Sequence, residues 1–156
     1  EGQLPLVYNH LPTGRGDDYT DLTGQPAFPF GYGLSYTRFD YSDLSFDRSR
    51  IAADETALVK FTLRNSGTRE GDEVVQLYIR DELASVARPI TELKGFQRVH
   101  LQPGETRALQ FAIPPDALSM LNGNLTRVIE PGDFRIMIGA SSKDIRLRGI
   151  LRVTQR

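Results

Sequence analysis

Apolar and polar residues alternate with a period of two through most of the chain that follows Thr37. In the run 57–64, apolar residues hold every odd position, and Lys60, Thr62 and Arg64 hold even ones. Successive side chains of a strand point to opposite faces, so this alternation predicts strands that bury one face. Similar runs, some less regular, bring the predicted total to about seven strands; the others lie at 37–46, 75–80, 94–101, 108–113, 134–138 and 145–153.

The residues between these runs favour turns. Asn65-Ser66-Gly67, Pro103-Gly104 and Pro131-Gly132 supply the positive or fixed φ values that tight turns require. Short strands separated by turns, without a long helix, indicate an all-β fold. We expect an immunoglobulin-like antiparallel β-sandwich over residues 37–156.

Two local irregularities are predicted within this pattern. In the run 37–46, Phe39 and Tyr41 hold odd positions, whereas Leu44 and Phe46 hold even ones. This change of parity predicts a bulge near Ser42-Asp43. The sequence Pro114-Pro115-Asp116 predicts one helical turn, with Asp116 as its N-cap.

Residues 1–36 form an irregular leader that differs from the rest of the chain. Six of the 14 glycines and four of the 9 prolines lie there, so no helix or strand can run far. The leader is nevertheless too apolar for a solvated tail. We expect its apolar residues to dock either on the sandwich or on a domain outside this chain; these anchors are Leu4, Leu6, Tyr8, Phe28, Phe30, Tyr32, Leu34 and Tyr36.

Composition excludes several classes of function. The 156 residues carry a net charge of −1, which argues against sequence-independent binding of nucleic acid. Cysteine is absent from the sequence, so disulfides, thiolate metal sites and cysteine nucleophiles are excluded. No apolar run approaches the roughly 20 residues that span a bilayer, so no membrane partner is expected. The start at Glu1-Gly2-Gln3 predicts no signal peptide and suggests a piece of something longer.

The sequence presents no recognisable catalytic or metal constellation. Its two histidines, His10 and His100, lack the close spacing of a zinc site, and we expect His100 to be an ordinary solvated or packed residue. Asp17, Asp18 and Asp21 do not match a calcium-loop pattern and are interpreted as a solvated loop. We therefore predict no catalytic residue, no metal and no cofactor.

Two further features have structural as well as functional interpretations. Gly31-Tyr32-Gly33 lacks the preceding strand and following helix of a phosphate cradle, so we expect these glycines to let the backbone approach a packing surface. Arg146, Arg148 and Arg152 share one strand face, which could attract an anion. Protection of a sheet edge by charge is the favoured interpretation.

Four blocks of sequence together resemble glycoside hydrolase family 3. The block 29–39 (Pro-Phe-Gly-Tyr-Gly-Leu-Ser-Tyr-Thr-Arg-Phe) is similar to that family's junction between the second catalytic domain and a C-terminal fibronectin type III-like domain. The others are 2–10 with 13–15, which is similar to the end of that family's α/β sandwich domain, then 70–78, and then the run 88–106 followed by 130–134. Relatives often carry Trp shortly before the last Pro-Gly turn, whereas this chain has Leu121-Asn122-Gly123-Asn124-Leu125.

The resemblance implies a fibronectin type III-like fold and a parent β-glucosidase or β-xylosidase. The family's catalytic Asp and Glu would lie upstream of this segment, so no catalytic residue is transferred. The partners would be the catalytic domains of the same glycosidase, which this chain would brace. The enzyme would be periplasmic or secreted. The long loop 81–92, with Ser85, Val86, Arg88 and Pro89, is a candidate for reaching the substrate cleft.

Two rival functions remain open. The chain could be an independent carbohydrate-binding or adhesion module, although such modules favour exposed aromatic platforms and this one has no Trp. It could also be a hydrolase in its own right.

Overall fold

Strands account for nearly all of the regular structure. The computed structural model describes residues 7–12 and 23–154, and over these residues the chain forms ten strands and one helical turn. The elements are, in order, β1 (Phe39–Phe46), β2 (Arg50–Ala52), β3 (Ala57–Asn65), β4 (Gly71–Asp81), β5 (Glu92–Leu101), β6 (Thr106–Ile113), α1 (Pro115–Leu118), β7 (Met120–Leu121), β8 (Arg127–Val128), β9 (Gly132–Gly139) and β10 (Ile145–Thr154).

Two sheets form the sandwich. One has the order β1-β3-β6, and the other has the order β2-β10-β9-β4-β5. All neighbours pair antiparallel except β2, which runs parallel to the end of β10. The strands β7 and β8 make a separate small hairpin. The predicted all-β sandwich is confirmed.

The core lies between the inner faces of the two sheets. The odd-numbered apolar residues of β3 are 0–2% exposed, as the alternation predicted. Phe61 lies between two aromatic rings, with its centroid 6.5 Å from that of Tyr41 and 6.0 Å from that of Phe111. The opposite sheet contributes the remaining large side chains; these include Val75, Leu77, Ile79, Phe134, Ile136, Ile138, Leu151 and Val153.

The predicted irregularities have different outcomes. The register between β1 and β3 shifts between Ser42 and Ser45, and Asp43 has a φ of 58°, so the bulge is confirmed. The helical turn also forms, but the prediction that Asp116 is its N-cap is wrong, because Pro114 occupies that position. The fixed φ of Pro115 suits the first helical position, and the helix therefore begins one residue before Asp116.

The side chain of Asn65 forms hydrogen bonds with the residue that follows the leader, with the turn after β3 and with the end of β5. Its buried side chain donates from Nδ2 to the carbonyl oxygens of Arg69 (2.7 Å) and Leu101 (3.1 Å). Its Oδ1 accepts from the hydroxyl of Thr37 (2.7 Å) and the amide of Gly67 (3.1 Å). The residue predicted only to open a turn thus also holds the chain where the leader meets β1.

Candidate functional site

Part of the leader lies on the outer face of the five-stranded sheet. The even-numbered side chains of β4 point away from the core, yet Gln76 is only 4% exposed and Tyr78 is fully buried. The backbone at Gly31 covers Gln76, and the ring of Tyr8 packs against Tyr78. The outer face of β4 is therefore a packing surface at Gln76 and Tyr78.

Gln76 connects the leader to two parts of the sandwich. Its Nε2 donates to the carbonyl oxygens of Gly31 (3.0 Å) and Ala140 (2.7 Å). Its Oε1 accepts from the hydroxyl of Tyr78 at 2.5 Å. Burial is the chief cause of the raised pKa of Tyr78, so this hydroxyl stays a donor at physiological pH.

Gly31 is required by this close approach. Its φ is +79°, and a Cβ on it would lie 2.1 Å from Oε1 of Gln76. The adjacent carbonyl of Phe30 accepts from the amide of Ser142 at 2.9 Å. The predicted packing role is confirmed for Gly31, whereas a Cβ on Gly33 would meet nothing within 4 Å.

Tyr8 makes the second attachment of the leader. Its ring stacks on Phe30 with centroids 4.0 Å apart and meets Tyr78 edge-on at 6.2 Å. Its hydroxyl accepts from the amide of Leu93 at 3.2 Å. Two residues further on, the carbonyl of His10 accepts from the amide of Ile90 at 3.0 Å. The segment 7–12 is thus bonded to the start of β5 and to the loop before it.

Other predicted anchors remain largely exposed. Leu34 is 87% exposed and Tyr36 is 93% exposed, while Phe28 and Tyr32 contact each other with ring centroids 5.2 Å apart. Leu4 and Leu6 lie outside the described residues. That the anchors dock on another domain stays a prediction.

An open groove of about 350 Å³ lies where residues 30–35 of the leader meet β4 and β5. Its apolar walls come from Tyr32 and Leu34 on one side and from Val74, Leu93 and Phe96 on the other. Val74 and Phe96 lie on the outer sheet face and are 42% and 67% exposed.

The acidic residues at the groove already have partners. Asp72 accepts from Arg98 at 2.5 Å and lies 3.0 Å from the ring nitrogen of His100, and both contacts hold its pKa below the usual range. Glu73 accepts from the hydroxyl of Tyr41 at 2.6 Å, but burial raises its pKa. His100 is exposed and belongs to this surface network, as expected of an ordinary histidine.

The loop between β4 and β5 is tied to the sandwich by its own polar residues. The amide and hydroxyl of Ser85 donate to the carboxylate of Glu130, at 2.9 and 2.5 Å, and lower its pKa. Arg88 pairs with Glu92 at 2.7 Å. Val86 and Pro89 are half-buried. A cleft-facing role for Ser85, Val86, Arg88 and Pro89 stays a prediction.

The end of β10 that carries Arg152 is not a free sheet edge. Arg152 pairs in register with Arg50 of β2, so the edge-protection interpretation is wrong at this end of the strand. Arg146 forms an ion pair with Asp144 at 2.5 Å, and Arg152 forms one with Asp133 at 2.6 Å. These carboxylates offset the positive charge that would attract an anion. Three-residue strands such as β2 give too short a pattern to predict.

The described residues contain no group of three or more His, Asp or Glu that could hold a metal ion. Asp17, Asp18 and Asp21 lie outside them. Within the same ranges, no helix has the length and apolar character needed to cross a membrane.

Comparison with known proteins decides the type of domain. Residues 73–142 match the model of the fibronectin type III-like domain. The sandwich is a fibronectin type III-like domain. A β-glucosidase structure from Erythrobacter marinus superimposes with a TM-score of 0.91 at 40% identity, covering 98% of this chain and 20% of that one.

The curated relatives of the sequence include glycosidases. The chain is 47% identical over 147 residues to a β-xylosidase of Formosa agariphila and 37% identical over 155 residues to a periplasmic β-glucosidase of Salmonella typhimurium. The alignments cover 91% and 93% of this chain but 20% of each relative. The resemblance to family 3 glycoside hydrolases is confirmed, and the chain spans about a fifth of the relatives' length.

Proposed function

We propose that this chain is the non-catalytic C-terminal module of a family 3 β-glycosidase, in which it braces the catalytic domains. The parent enzyme would hydrolyse terminal β-D-glucosyl or β-D-xylosyl residues in the periplasm or outside the cell. The observation that carries the proposal is that nearly the whole chain aligns with a fifth of each glycosidase relative. The catalytic Asp and Glu would belong to the remainder of the polypeptide.

The exposed leader residues support the bracing role. Leu34 and Tyr36 expose most of their apolar surface immediately before β1, where the chain would arrive from the preceding domain. Contiguous exposed apolar surface of this kind marks interaction sites on soluble proteins. Domains within one chain bury roughly 600–1,500 Å² against each other, and these side chains would contribute to such an interface.

The test replaces Leu34 and Tyr36 by Ser in the full-length enzyme and in the 156-residue chain. We expect the melting temperature of the full-length enzyme to fall, whereas the isolated chain should change little because both side chains are exposed in it. Leu125→Ser, at an exposed position in the β7–β8 turn, is the control. Unchanged stability and activity of the full-length enzyme would refute bracing by the leader.

A carbohydrate-binding module is the second candidate. It is favoured by the exposed aromatic rings of Phe28, Tyr36 and Phe96, since sugar-binding modules present such rings. Titration of the isolated chain with cello-oligosaccharides and xylan distinguishes the two, because saturable binding supports the module and its absence supports bracing. An assay of the same preparation with aryl β-glucosides and β-xylosides tests the absence of catalysis.

A further inference from the structure

We propose that the groove between residues 30–35 and strands β4 and β5 is the sandwich's half of the interdomain interface. Its occupant would be apolar side chains of the catalytic domains that precede this module in the same polypeptide. This inference rests on the proposed function and assigns the interface to sandwich residues, Val74 and Phe96 above all, in addition to the leader.

The outer faces of the two sheets differ in how many large apolar side chains they expose. Among the described residues, none of the exposed large apolar side chains belongs to β1, β3 or β6. The outer face of that sheet carries residues such as Lys60, Arg64 and Gln110, all exposed. An antiparallel sheet that faces water normally shows this polar pattern, whereas the outer face of the five-stranded sheet exposes Val74, Phe96 and, outside the groove, Ile150.

The polar groups of the groove disfavour a sugar as its occupant. All hydrogen-bonding atoms of the Gln76 side chain that face the leader are used, and Asp72 and Glu73 accept from protein donors. A sugar needs free donors and acceptors to replace its hydration, whereas an apolar side chain needs none. The polar groups of the groove have partners, and its apolar side chains are what remains exposed.

The groove is continuous with the leader residues of the proposed function. Leu34 belongs to both, and Phe96 lies directly opposite Gln76 in the β4–β5 register. A body that covers Leu34 therefore also covers the groove. Since the glycosidase relatives are single chains about five times longer than the matched region, the covering body would lie on the same polypeptide.

The experiment compares Phe96→Thr and Val74→Thr in the full-length enzyme and in the isolated chain. Threonine keeps the β-propensity of both positions, so the isolated chain should fold and its melting temperature should shift by no more than about 2 °C. In the full-length enzyme we expect the combined variant to lower the melting temperature by more than that and to increase the rate of proteolysis in residues 23–36 at least tenfold. Leu121→Thr, an exposed strand residue outside the groove, is the matched control.

The remaining outcomes separate this inference from the proposed function. If the Leu34 and Tyr36 variants destabilise the full-length enzyme but the Phe96 and Val74 variants do not, the groove assignment fails and the bracing module stands. Equal destabilisation of the isolated chain would show that Phe96 and Val74 pack within the sandwich, which also overturns the assignment. If the isolated chain binds cello-oligosaccharides saturably and Phe96→Thr abolishes that binding, the groove is a sugar site and the assignment is overturned. If the isolated chain self-associates and Phe96→Thr abolishes the association, the occupant is a second copy and the assignment is likewise overturned.

Discussion

The hydroxyl of Tyr41 donates a 2.6 Å hydrogen bond to Oε1 of Glu73, joining β1 of one sheet to β4 of the other. Arg146 lies over the Tyr41 ring, 5.9 Å from its centroid. Burial is the largest cause of the raised pKa of Glu73, and the hydrogen bond and Arg146 oppose it without cancelling it. Ionisation of the Glu73 carboxyl therefore lowers the free energy of unfolding.

Glu73→Gln is expected to stabilise the isolated chain at pH 7. A carboxyl whose pKa is raised in the folded state contributes stability below its unfolded pKa and loses it as pH rises through the folded pKa. Glutamine keeps an acceptor for Tyr41 without the charge. Urea unfolding from pH 3.5 to pH 8 should show the largest gain at neutral pH and a shrinking difference in acid; a gain independent of pH would contradict this account.

Tyr41→Phe tests the same contact from the donor side. It removes the hydroxyl and leaves the Glu73 carboxylate without that partner, so we expect a loss of about 1.5 kcal/mol or more in the free energy of unfolding at pH 7. In the Glu73→Gln background the loss should be smaller, because a neutral acceptor is less costly to leave unpaired. A double-mutant cycle measured by urea denaturation gives the coupling, and additive effects would argue against it.

Gln76→Leu should release the leader from the sheet. The change leaves the carbonyls of Gly31 and Ala140 and the hydroxyl of Tyr78 without their partner, for a loss of about 2–3 kcal/mol. Hydrogen exchange should accelerate at the amide of Ser142, which donates to Phe30. Gln97→Leu removes a half-buried glutamine whose hydrogen bond to the carbonyl of Gln110 is exposed, and it should cost less than Gln76→Leu, about 1 kcal/mol or below.

Gly31→Ala and Gly33→Ala form a matched pair. At Gly31 the positive φ alone costs about 1–2 kcal/mol for an alanine, and its Cβ would also displace the amide of Gln76. At Gly33 nothing lies within 4 Å of the added methyl, and the change should be neutral within about 0.5 kcal/mol or stabilising. Thermal denaturation of the two variants checks the difference, and equal stabilities would show that the leader does not pack as described.

Protonation of Asp47 in acid should lower the free energy of unfolding of the chain. Its Oδ1 accepts from the amides of Leu58 (2.7 Å) and Arg48 (2.9 Å), and these bonds lower its pKa. A depressed folded pKa contributes stability that is present above the unfolded pKa and lost as pH falls through the folded one. Asp47→Asn should therefore be less stable than the wild type at pH 7 and equally stable near pH 2, with Asp40→Asn as control for loss of a surface charge.

Much of the sandwich could be predicted from alternation, because one face of each long strand meets the core. The strand β3 and the bulge at Asp43 follow from residues close in sequence. The burial of Gln76 and Tyr78 could not be predicted, since both occupy outward positions of β4 and are covered by residues of the distant leader. The parallel pairing of β2 was likewise missed, because three residues carry no period and the partner strand lies about a hundred positions away.

The attachment of Tyr8 and Gly31 to the sandwich bears on where such a chain can be cut. A polypeptide beginning at Thr37 would keep every long strand, yet it would open Gln76 and Tyr78 to solvent and leave the amide of Leu93 without the Tyr8 oxygen. Shortened forms used for calorimetry or crystallisation should therefore retain the residues from Val7 onward, even though they add no strand.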